Sequence, residues 1–340
     1  MKSRVLVAAC TVLSLLSMNL FLTACGGQEM EELSYVSPEP TNRYGWEEQS
    51  EVQLPPSWSG NFNIISINDQ SRGGNLEFPY TGGEVTAEIQ IVQAGVEEMP
   101  VRFLIFLDGI LQSFRLNGGA EEFSHAILLP EGSENHTVSF VPEIVKPGES
   151  VTMTVVGLYG FAEKLTADSA TNATIRPAAC MGFAVELIAD ESLEAKEAPA
   201  FSPQAPVEIL SSGEFTKKRI DTLEETKKPA SGSAYFAYDL ENLPEWVLPV
   251  QAEPGRHRTV LLMDGEPVPA FDGGYYLDWE NESFEQNLIF PLDLSFLPEE
   301  GAYNLYSVTI DLETDLETIK RSIWAAGDPV TVEATEGAGS

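Results

Sequence analysis

The chain has 340 residues, of which 43% are hydrophobic and 9% aromatic, so it is long and apolar enough for two folded domains. Its formal net charge is −34, from 19 basic and 53 acidic residues. This excess of negative charge disfavours nucleic acid and anionic lipid headgroups as partners. A solvated acidic surface explains the charge most simply, whereas a cationic partner or divalent cations would complement it.

The N-terminal segment has the pattern of an export signal. Lys2 and Arg4 precede an apolar run, Val5–Leu22, which only Ser, Thr and Asn interrupt. The run is long enough to span a membrane, but its polar interruptions and the acidic residues that follow argue against a transmembrane anchor. It closes with Leu22-Thr23-Ala24-Cys25. This segment resembles the bacterial lipoprotein signal peptide and its lipobox.

The resemblance implies that residues 1–24 are a signal peptide removed before Cys25, and that Cys25 is then acylated with diacylglycerol and a further chain such as palmitate. Two acyl chains suffice for stable anchoring in a membrane. Cleavage removes Lys2 and Arg4 but no acidic residue, so the net charge becomes −36. We expect a lipid-anchored extracytoplasmic protein, on a Gram-positive outer surface in preference to a Gram-negative envelope.

Residues 25–56 are rich in Glu, Ser, Pro, Gln and Asn and show no hydrophobic period. Such a composition cannot bury enough apolar surface to fold, and it predicts a flexible acidic tether. The tether would hold the folded part of the chain away from the membrane.

Residues 57–190 carry the pattern of many short strands. Val85–Ile91 alternates apolar and polar residues, which is typical of a strand with one buried face. Val101–Leu107 is an apolar run that ends at a turn signal, Asp108-Gly109. Further strands are predicted at Phe62–Ile67, Ser124–Leu129, Thr137–Val141, Val151–Tyr159 and Gly182–Ile188. This spacing favours an antiparallel sandwich.

A second domain of the same kind is predicted over residues 207–335, after a Glu- and Pro-rich linker at residues 191–206. Thr259–Met263 and Asp264-Gly265 repeat the run and turn of the first domain at an offset of 156 residues. Val332–Ala334 similarly echoes Val185–Leu187. We interpret the pattern as a tandem duplication in which each domain folds by itself. The predicted fold class is all-β, with two tandem immunoglobulin-like antiparallel β-sandwiches after a signal peptide and a disordered tether.

In general terms this organisation resembles the two-domain lipoproteins with immunoglobulin-like sandwiches that occur on Gram-positive surfaces. The specific resemblance covers only the lipobox. The likeness of the domains is architectural, so it transfers no functional residues and no activity.

No constellation of catalytic or metal-ligating residues stands out. After acylation of Cys25, Cys180 is the remaining thiol, and we interpret it as a buried apolar residue. His125, His136 and His257 lie in separate stretches without a partner at ligand spacing. We interpret His125 and His136 as solvated loop residues. Nucleophile-elbow and phosphate-loop motifs are missing from the sequence. We therefore predict no catalytic residue, no metal, no cofactor and no enzymatic activity.

One segment combines aromatic and acidic side chains. Tyr275, Tyr276, Asp278, Trp279 and Glu280 lie in a predicted loop and strand edge. Aromatic faces against a sugar ring, with carboxylates for its hydroxyl groups, would form a carbohydrate site, and the carboxylates could instead bind Ca²⁺. The simpler interpretation is a hairpin whose aromatic residues pack on the domain edge.

The predicted function is a non-enzymatic binding, adhesion or structural role at the cell envelope. Membrane lipid, through acylated Cys25, and an unidentified protein or glycan are the expected partners. One alternative is a carbohydrate or solute capture module that uses the segment Tyr275–Phe284. Another is an envelope hydrolase with an unrecognised site, which would need a histidine beside Ser, Thr or Asp in a concave pocket.

Overall fold

The structure is a computed structural model. The described residues are 59–159, 179–211, 220–223, 226, 235–238, 245–313, 324–326 and 330–334. The predicted signal peptide and tether lie outside these ranges. All named elements in the described residues are β-strands, which confirms the all-β class. Within the same residues, no helix has the length and apolarity to cross a membrane.

The first half, residues 59–189, contains described strands that pair with one another and not with the described strands of the second half. They are β1 (Ser59–Ile67), β2 (Gln70–Ser71), β3 (Glu77–Tyr80), β4 (Val85–Leu107), β5 (Ile110–Gln112), β6 (Phe114–Leu116), β7 (Glu121–Glu122), β8 (His125–Phe140), β9 (Ser150–Tyr159) and β10 (Ala179–Ala189). Their main order in the sheet is β3-β10-β9-β4-β8-β6-β7.

Strand β4 organises the first half because it is long enough to join two groups of strands. Its first part pairs with β1 and the end of β8, and its second part pairs with β9 and the start of β8. The pairing register shifts between Gln93 and Glu98, where a bulge bends the strand. The separate strands predicted at Val85–Ile91 and Val101–Leu107 are thus one strand. Ile89 and Phe103, one from each part, lie in the same hydrophobic core.

The second half, residues 208–334, also pairs only within itself among the described strands. It contains β11 (Glu208–Ser211), β12 (Asp221–Thr222), β13 (Tyr235–Tyr238), β14 (Trp246–Val250), β15 (Gly255–Met263), β16 (Glu266–Pro267), β17 (Tyr276–Asn281), β18 (Gln286–Pro291), β19 (Ala302–Asp311), β20 (Trp324–Ala326) and β21 (Val330–Ala334).

The strands of the second half form two packed sheets. One sheet has four strands in the order β11-β18-β14-β12, and the other is built on β13-β21-β19-β15-β16, with β17 beside β15 and β20 beside β19. Leu248 and Phe290 from the first sheet share a core with Leu261 and Leu305 from the second. The alternation of inward apolar residues therefore produces a β-sandwich around its own core.

The central strands of the two halves repeat one another in hydrogen bonding. In the first half, the Asp108 carboxylate accepts the Thr152 N–H at 2.8 Å, and the Asp108 N–H donates to the Thr152 carbonyl at 2.9 Å. Asp264 and Asn304 make the same two bonds in the second half, both at 2.9 Å. The matching geometry supports the interpretation of the two halves as a duplication.

The pairing registers also show that one predicted match between the two halves is displaced along the strand. Val185 is paired with Met153, whereas Val330 is paired with Leu305. Met153 follows Thr152, and Leu305 follows Asn304, and these two residues are the ones that bond to the aspartates of the Asp-Gly turns. Val330 is therefore the equivalent of Val185. The proposed match of Val185 with Val332 is therefore displaced by two residues, a shift that keeps the same alternation of faces.

A third apolar cluster, called here the joint, connects the halves. Strands β4, β9, β15 and β19 are buried on both faces, because one face lies in the core of its own half and the other lies in the joint. The joint side chains are each at most 3% exposed. They are Leu104, Phe106, Leu111, Val156 and Leu158 from the first half, and Val260, Leu262, Tyr306, Val308 and Ile310 from the second.

The two Asp-Gly turns contact the opposite half reciprocally. A Cβ atom on Gly109 would lie 2.6 Å from Leu312 Cδ2 and 3.4 Å from Arg258 Cβ. A Cβ atom on Gly265 would overlap the guanidinium of Arg102. Gly265 is equivalent to Gly109 and Arg258 to Arg102, at the same offset of 156 residues. The joint is therefore quasi-twofold, like the interface of a symmetric dimer.

Candidate binding site

The segment predicted to bind ligand forms strand β17, which pairs antiparallel with β15. Tyr275 precedes the strand and is 50% exposed, and Glu280 is also exposed. Tyr276 is half-buried, whereas Asp278 and Trp279 are buried. The structure therefore does not bring the three aromatic side chains together on one exposed face.

Trp279 is a core residue. Its side chain is 0% exposed, its Nε1 donates to Thr259 Oγ1 at 2.9 Å, and its ring lies 4.4 Å from that of His257. A ring buried in this way cannot stack on a sugar. Carbohydrate binding at this segment stays a prediction, and of the five residues only Tyr275 and Glu280 are exposed enough to contribute.

Asp278 forms a buried ion pair across strands β15 and β17. Arg258 Nε donates to one carboxylate oxygen of Asp278 at 2.6 Å and Nη2 donates to the other at 2.8 Å. The side chains of Arg258 and Asp278 are 3% and 8% exposed. The Ser202 N–H also donates to Asp278, at 2.8 Å. Two-point pairing and the extra hydrogen bond compensate for the removal of both charges from water.

Tyr276 connects the ion pair with the first half. Its ring lies 5.6 Å from the guanidinium carbon of Arg258, and its side chain packs against both the core of the first half and the joint. Burial raises the pKa of Tyr276, so the side chain is a neutral phenol at physiological pH. Tyr276 therefore has a packing role between the halves.

The predicted linker, residues 191–206, is a strap that is fixed at both ends. Lys196 and Val145 exchange two backbone hydrogen bonds of 3.0 Å, which attach the strap to the first half. The Gln204 N–H donates to the Asp278 carbonyl at 2.8 Å, and Pro203 bridges the same strand residue. The strap thus covers the outer edge of β17, which would otherwise be open to another strand.

A polar cleft of about 220 Å³ lies between the strap and the two halves. Lys146 and Asp108 line it from the first half, with Lys146 Nζ 2.5 Å from the Asp108 carboxylate. Arg256 and Arg258 line it from β15, and Phe201 lines it from the strap. No catalytic, metal-binding or phosphate-binding motif in the sequence indicated this site. The signal was the Arg256-x-Arg258 pair within an acidic chain, since alternate residues of a strand point to the same side.

The histidines are more buried than the sequence suggested. His136 is 8% exposed and His257 is 1% exposed, and both belong to strands. His125 is partly buried, with its Nε2 2.8 Å from the Phe114 carbonyl oxygen. The interpretation of His125 and His136 as solvated is wrong because each ring packs against an aromatic neighbour in the sheet.

His136 makes the stability of the first half sensitive to acid. Burial lowers the pKa of His136 and outweighs the opposing effect of the Glu134 carboxylate, 3.4 Å from Nε2. The unfolded chain therefore binds a proton at a higher pH than the folded chain does, so the free energy of unfolding falls as the pH drops below about 6.5. We expect His136→Gln to lose less stability than the wild type between about pH 7.5 and about pH 5.5 in urea titrations. Equal losses would contradict this assignment.

The remaining predicted site residue, Cys25, lies outside the described residues. Cys180 is a partly buried free thiol at the margin of the joint, and burial raises its pKa. A raised pKa disfavours the reactive thiolate. In the described part of the chain, no group of three His, Cys, Asp or Glu residues is placed to hold a metal ion.

Comparison with known proteins gives only distant similarities. No protein-family model matches the chain, and no curated protein sequence matches it. Among solved structures, a variant of BcpA, the major pilin subunit of Bacillus cereus, is 11% identical with a TM-score of 0.24, covering 82% of this chain and 68% of the pilin. The E. coli chaperone DraB is 8% identical with a TM-score of 0.24, covering 80% and 98%. The pilus backbone RrgB of Streptococcus pneumoniae is 9% identical with a TM-score of 0.21, covering 81% and 58%.

Proposed function

We propose that this protein is a non-enzymatic envelope lipoprotein, anchored through acylated Cys25, whose two β-halves act as one body with a structural or binding role outside the membrane. The lipobox supports the anchor and the location. The burial of the joint supports the proposal that the two halves act as one body, and the proposed role depends on this observation. A body of fixed geometry, carried on a tether, suits a protein that presents a surface to a partner.

The joint has the character of a permanent interface. Its side chains are as fully buried as those of the two cores, and each buried residue of this type contributes roughly 1.5–3 kcal/mol relative to exposure. The strap adds a second connection through Ser202 and Asp278. The described residues also belong to one compact unit, residues 47–340. Independent movement of the halves would expose the joint to water.

The contacts of the histidines support a non-enzymatic role. His125 contacts a backbone carbonyl and the Glu122 carboxylate, and His136 contacts Asn117 and Glu134. Within the described residues, neither of these two rings forms a hydrogen bond with a hydroxyl or thiol group that could act as a nucleophile. The cleft itself is lined by arginine, lysine, aspartate and threonine, without histidine among its described lining residues.

A matched pair of glycine variants tests whether the halves act as one body. Gly109 and Gly273 have nearly the same positive φ, 78° and 79°, but only Gly109 would place a Cβ against the opposite half, because Gly273 has nothing within 4 Å. Both alanine variants introduce the same backbone strain. We expect Gly109→Ala to lower the free energy of unfolding by about 1 kcal/mol more than Gly273→Ala, because it crowds the joint.

Calorimetry of the same proteins completes the test. We expect the wild type to unfold in one transition with equal calorimetric and van't Hoff enthalpies. Gly109→Ala should shift that whole transition to lower temperature. Two separate transitions in the wild type, or equal effects of the two glycine variants, would show that the halves behave independently and would overturn the proposal of a single body.

A further inference from the structure

The repeat between the two halves is broken at one ion pair. In the second half, Arg258 of β15 lies opposite Asp278 of β17 and pairs with its carboxylate. In the first half, the equivalent arginine is Arg102 of β4, and the residue opposite it on β8 is Ala126. Ala126 therefore occupies the place of the carboxylate-bearing residue without supplying a carboxylate.

The Arg102 guanidinium is held in place but is not paired with an acid. Nη1 donates to Ser124 Oγ at 2.7 Å, whereas Nε is buried and makes no hydrogen bond within the described residues. Burial raises the pKa of the neighbouring Tyr306, Arg102 lowers it, and the Asp264 and Glu266 carboxylates raise it. Neither of these two carboxylates forms an ion pair with Arg102. The positive charge of Arg102 thus lacks the direct partner that Arg258 has.

The strand edge beside Arg102 is open. β8 pairs with β4 on one side, and on its other side the described partner, β6, reaches only Val138 and Ser139. In the described part of the chain, the segment His125–Leu129 therefore has no strand on its outer side. Ala126 is exposed and Leu128 is 57% exposed. Between these two residues the edge has neither a charged side chain nor a proline, the features that commonly protect an open edge.

The second half shows what fills the equivalent place. Asp278 is only 8% exposed, because the strap covers the outer edge of β17. Its carbonyl accepts the Gln204 N–H and its carboxylate accepts the Ser202 N–H. An extended segment along the edge of β8 would likewise bond to the Ala126 backbone, as in other cases of strand addition. A carboxylate carried by that segment would lie within reach of Arg102.

We propose that the outer edge of β8, from His125 to Leu129, binds an extended peptide of a partner protein that supplies the carboxylate missing beside Arg102. Backbone hydrogen bonds would add the peptide to the sheet as a strand, and an Asp or Glu of the peptide would pair with Arg102. Leu128 would contact an apolar side chain two positions from that acid, because alternate residues of a strand face the same side. This inference rests on the proposed binding role and names its partner.

The overall charge of the chain is compatible with an acidic peptide. The net charge of −34 disfavours the approach of acids at long range, but physiological salt screens exposed charges over distances of about 8 Å. At contact distance the unpaired Arg102 decides which side chain is preferred. A peptide with one acid among apolar residues satisfies both conditions better than a polyacidic segment does.

Selection from random heptapeptides displayed on phage, against the lipid-free chain carrying Cys25→Ala, tests this proposal. We expect the enriched peptides to share one Asp or Glu with an apolar residue two positions away. A synthetic copy of the most enriched peptide should bind with a micromolar to millimolar Kd, measured by fluorescence anisotropy. Replacement of its acid by the corresponding amide should weaken binding by about tenfold or more.

Variants of the residues beside Arg102 test the site without removing the arginine, which also contacts the joint. Ala126→Asp would place a carboxylate opposite Arg102, as Asp278 lies opposite Arg258, and should raise the Kd of the peptide by about tenfold or more. Ala126→Asn is the matched control, because it has nearly the same shape but no charge. The midpoint of thermal unfolding should be about 2 °C higher in Ala126→Asp than in Ala126→Asn, because only the aspartate can form the ion pair.

A second pair of variants tests the apolar contact at the edge. Leu128→Ser should weaken peptide binding by about threefold or more. Val141→Ser is its control, because Val141 is 54% exposed but lies beyond the end of β8, and it should leave binding unchanged. The thermal unfolding midpoint of each variant verifies that it is folded.

Several outcomes would overturn the peptide site. They are enrichment of no peptides or of peptides without an acid, an unchanged Kd in folded Ala126→Asp, and equal unfolding midpoints for Ala126→Asp and Ala126→Asn. A dimer that Ala126→Asp dissociates in analytical ultracentrifugation would assign the edge to a second copy of the chain, and would also overturn the proposal of a different partner. These outcomes are separate from membrane retention and from the calorimetric test of the joint.

Discussion

Asp278→Ala is expected to lower the free energy of unfolding by about 3–5 kcal/mol, because it leaves the Arg258 charge buried without its partner. The change also removes the acceptor of the Ser202 N–H, so the strap loses one of its attachments to β17. Urea-induced unfolding, followed by tryptophan fluorescence and by circular dichroism, measures the effect. The fluorescence of Trp279, the neighbour of Asp278 in β17, should report the same transition.

Two controls separate the ion pair from general effects of mutation. The double variant Arg258→Leu/Asp278→Leu should recover part of the lost stability, because no unpaired charge stays buried. Arg115→Ala, which breaks exposed pairs with Glu84 and Glu121, should cost less than about 1 kcal/mol. If Asp278→Ala lowers the free energy of unfolding by as little as Arg115→Ala does, the buried ion pair does not stabilise the attachment of the strap or the contact between the halves.

Cys25→Ala is expected to release the protein from the membrane fraction completely. Without Cys25 no acyl chain can be attached, and the negative chain has no electrostatic attraction to anionic headgroups that could replace it. Fractionation of cells, followed by immunoblotting of membranes and medium, measures the distribution.

The other two cysteines of the chain provide matched controls. Cys10→Ala lies within the predicted signal peptide, and Cys180→Ala lies in β10, so neither should affect lipid attachment. Both variants should stay in the membrane fraction. Retention of Cys25→Ala, or equal release of all three variants, would refute the anchoring role of Cys25.

Several parts of the fold were predictable because they depend on local chemistry. The Asp-Gly pairs mark tight turns, and both residues of each pair have positive φ, at 44° and 78° for Asp108-Gly109 and at 52° and 102° for Asp264-Gly265. Such turns have the twist that joins neighbouring antiparallel strands. The apolar runs before them are strands buried on both faces, as their composition predicts.

Other parts were not predictable because they depend on distant partners. The segment with Tyr276 and Trp279 has the composition of a ligand site, yet pairing with β15 turns Trp279 into the core and Asp278 toward Arg258. The alternation of residues along a strand shows that two faces differ, but it does not show what covers each face. The sequence of the strap, residues 191–206, predicts a linker for the same reason, because its composition does not show which residues it contacts.

The sequence by itself determined the all-β class, the positions of the turns, the repeat between the halves and the predicted anchor at Cys25. Each of these depends on a pattern within a short stretch of chain. The tertiary structure decided that the halves share a joint, that Asp278 pairs with Arg258, and that Arg256 lines a cleft with Phe201. These features bring together residues far apart in sequence, and their energies come from burial and pairing that exist only after the chain has folded.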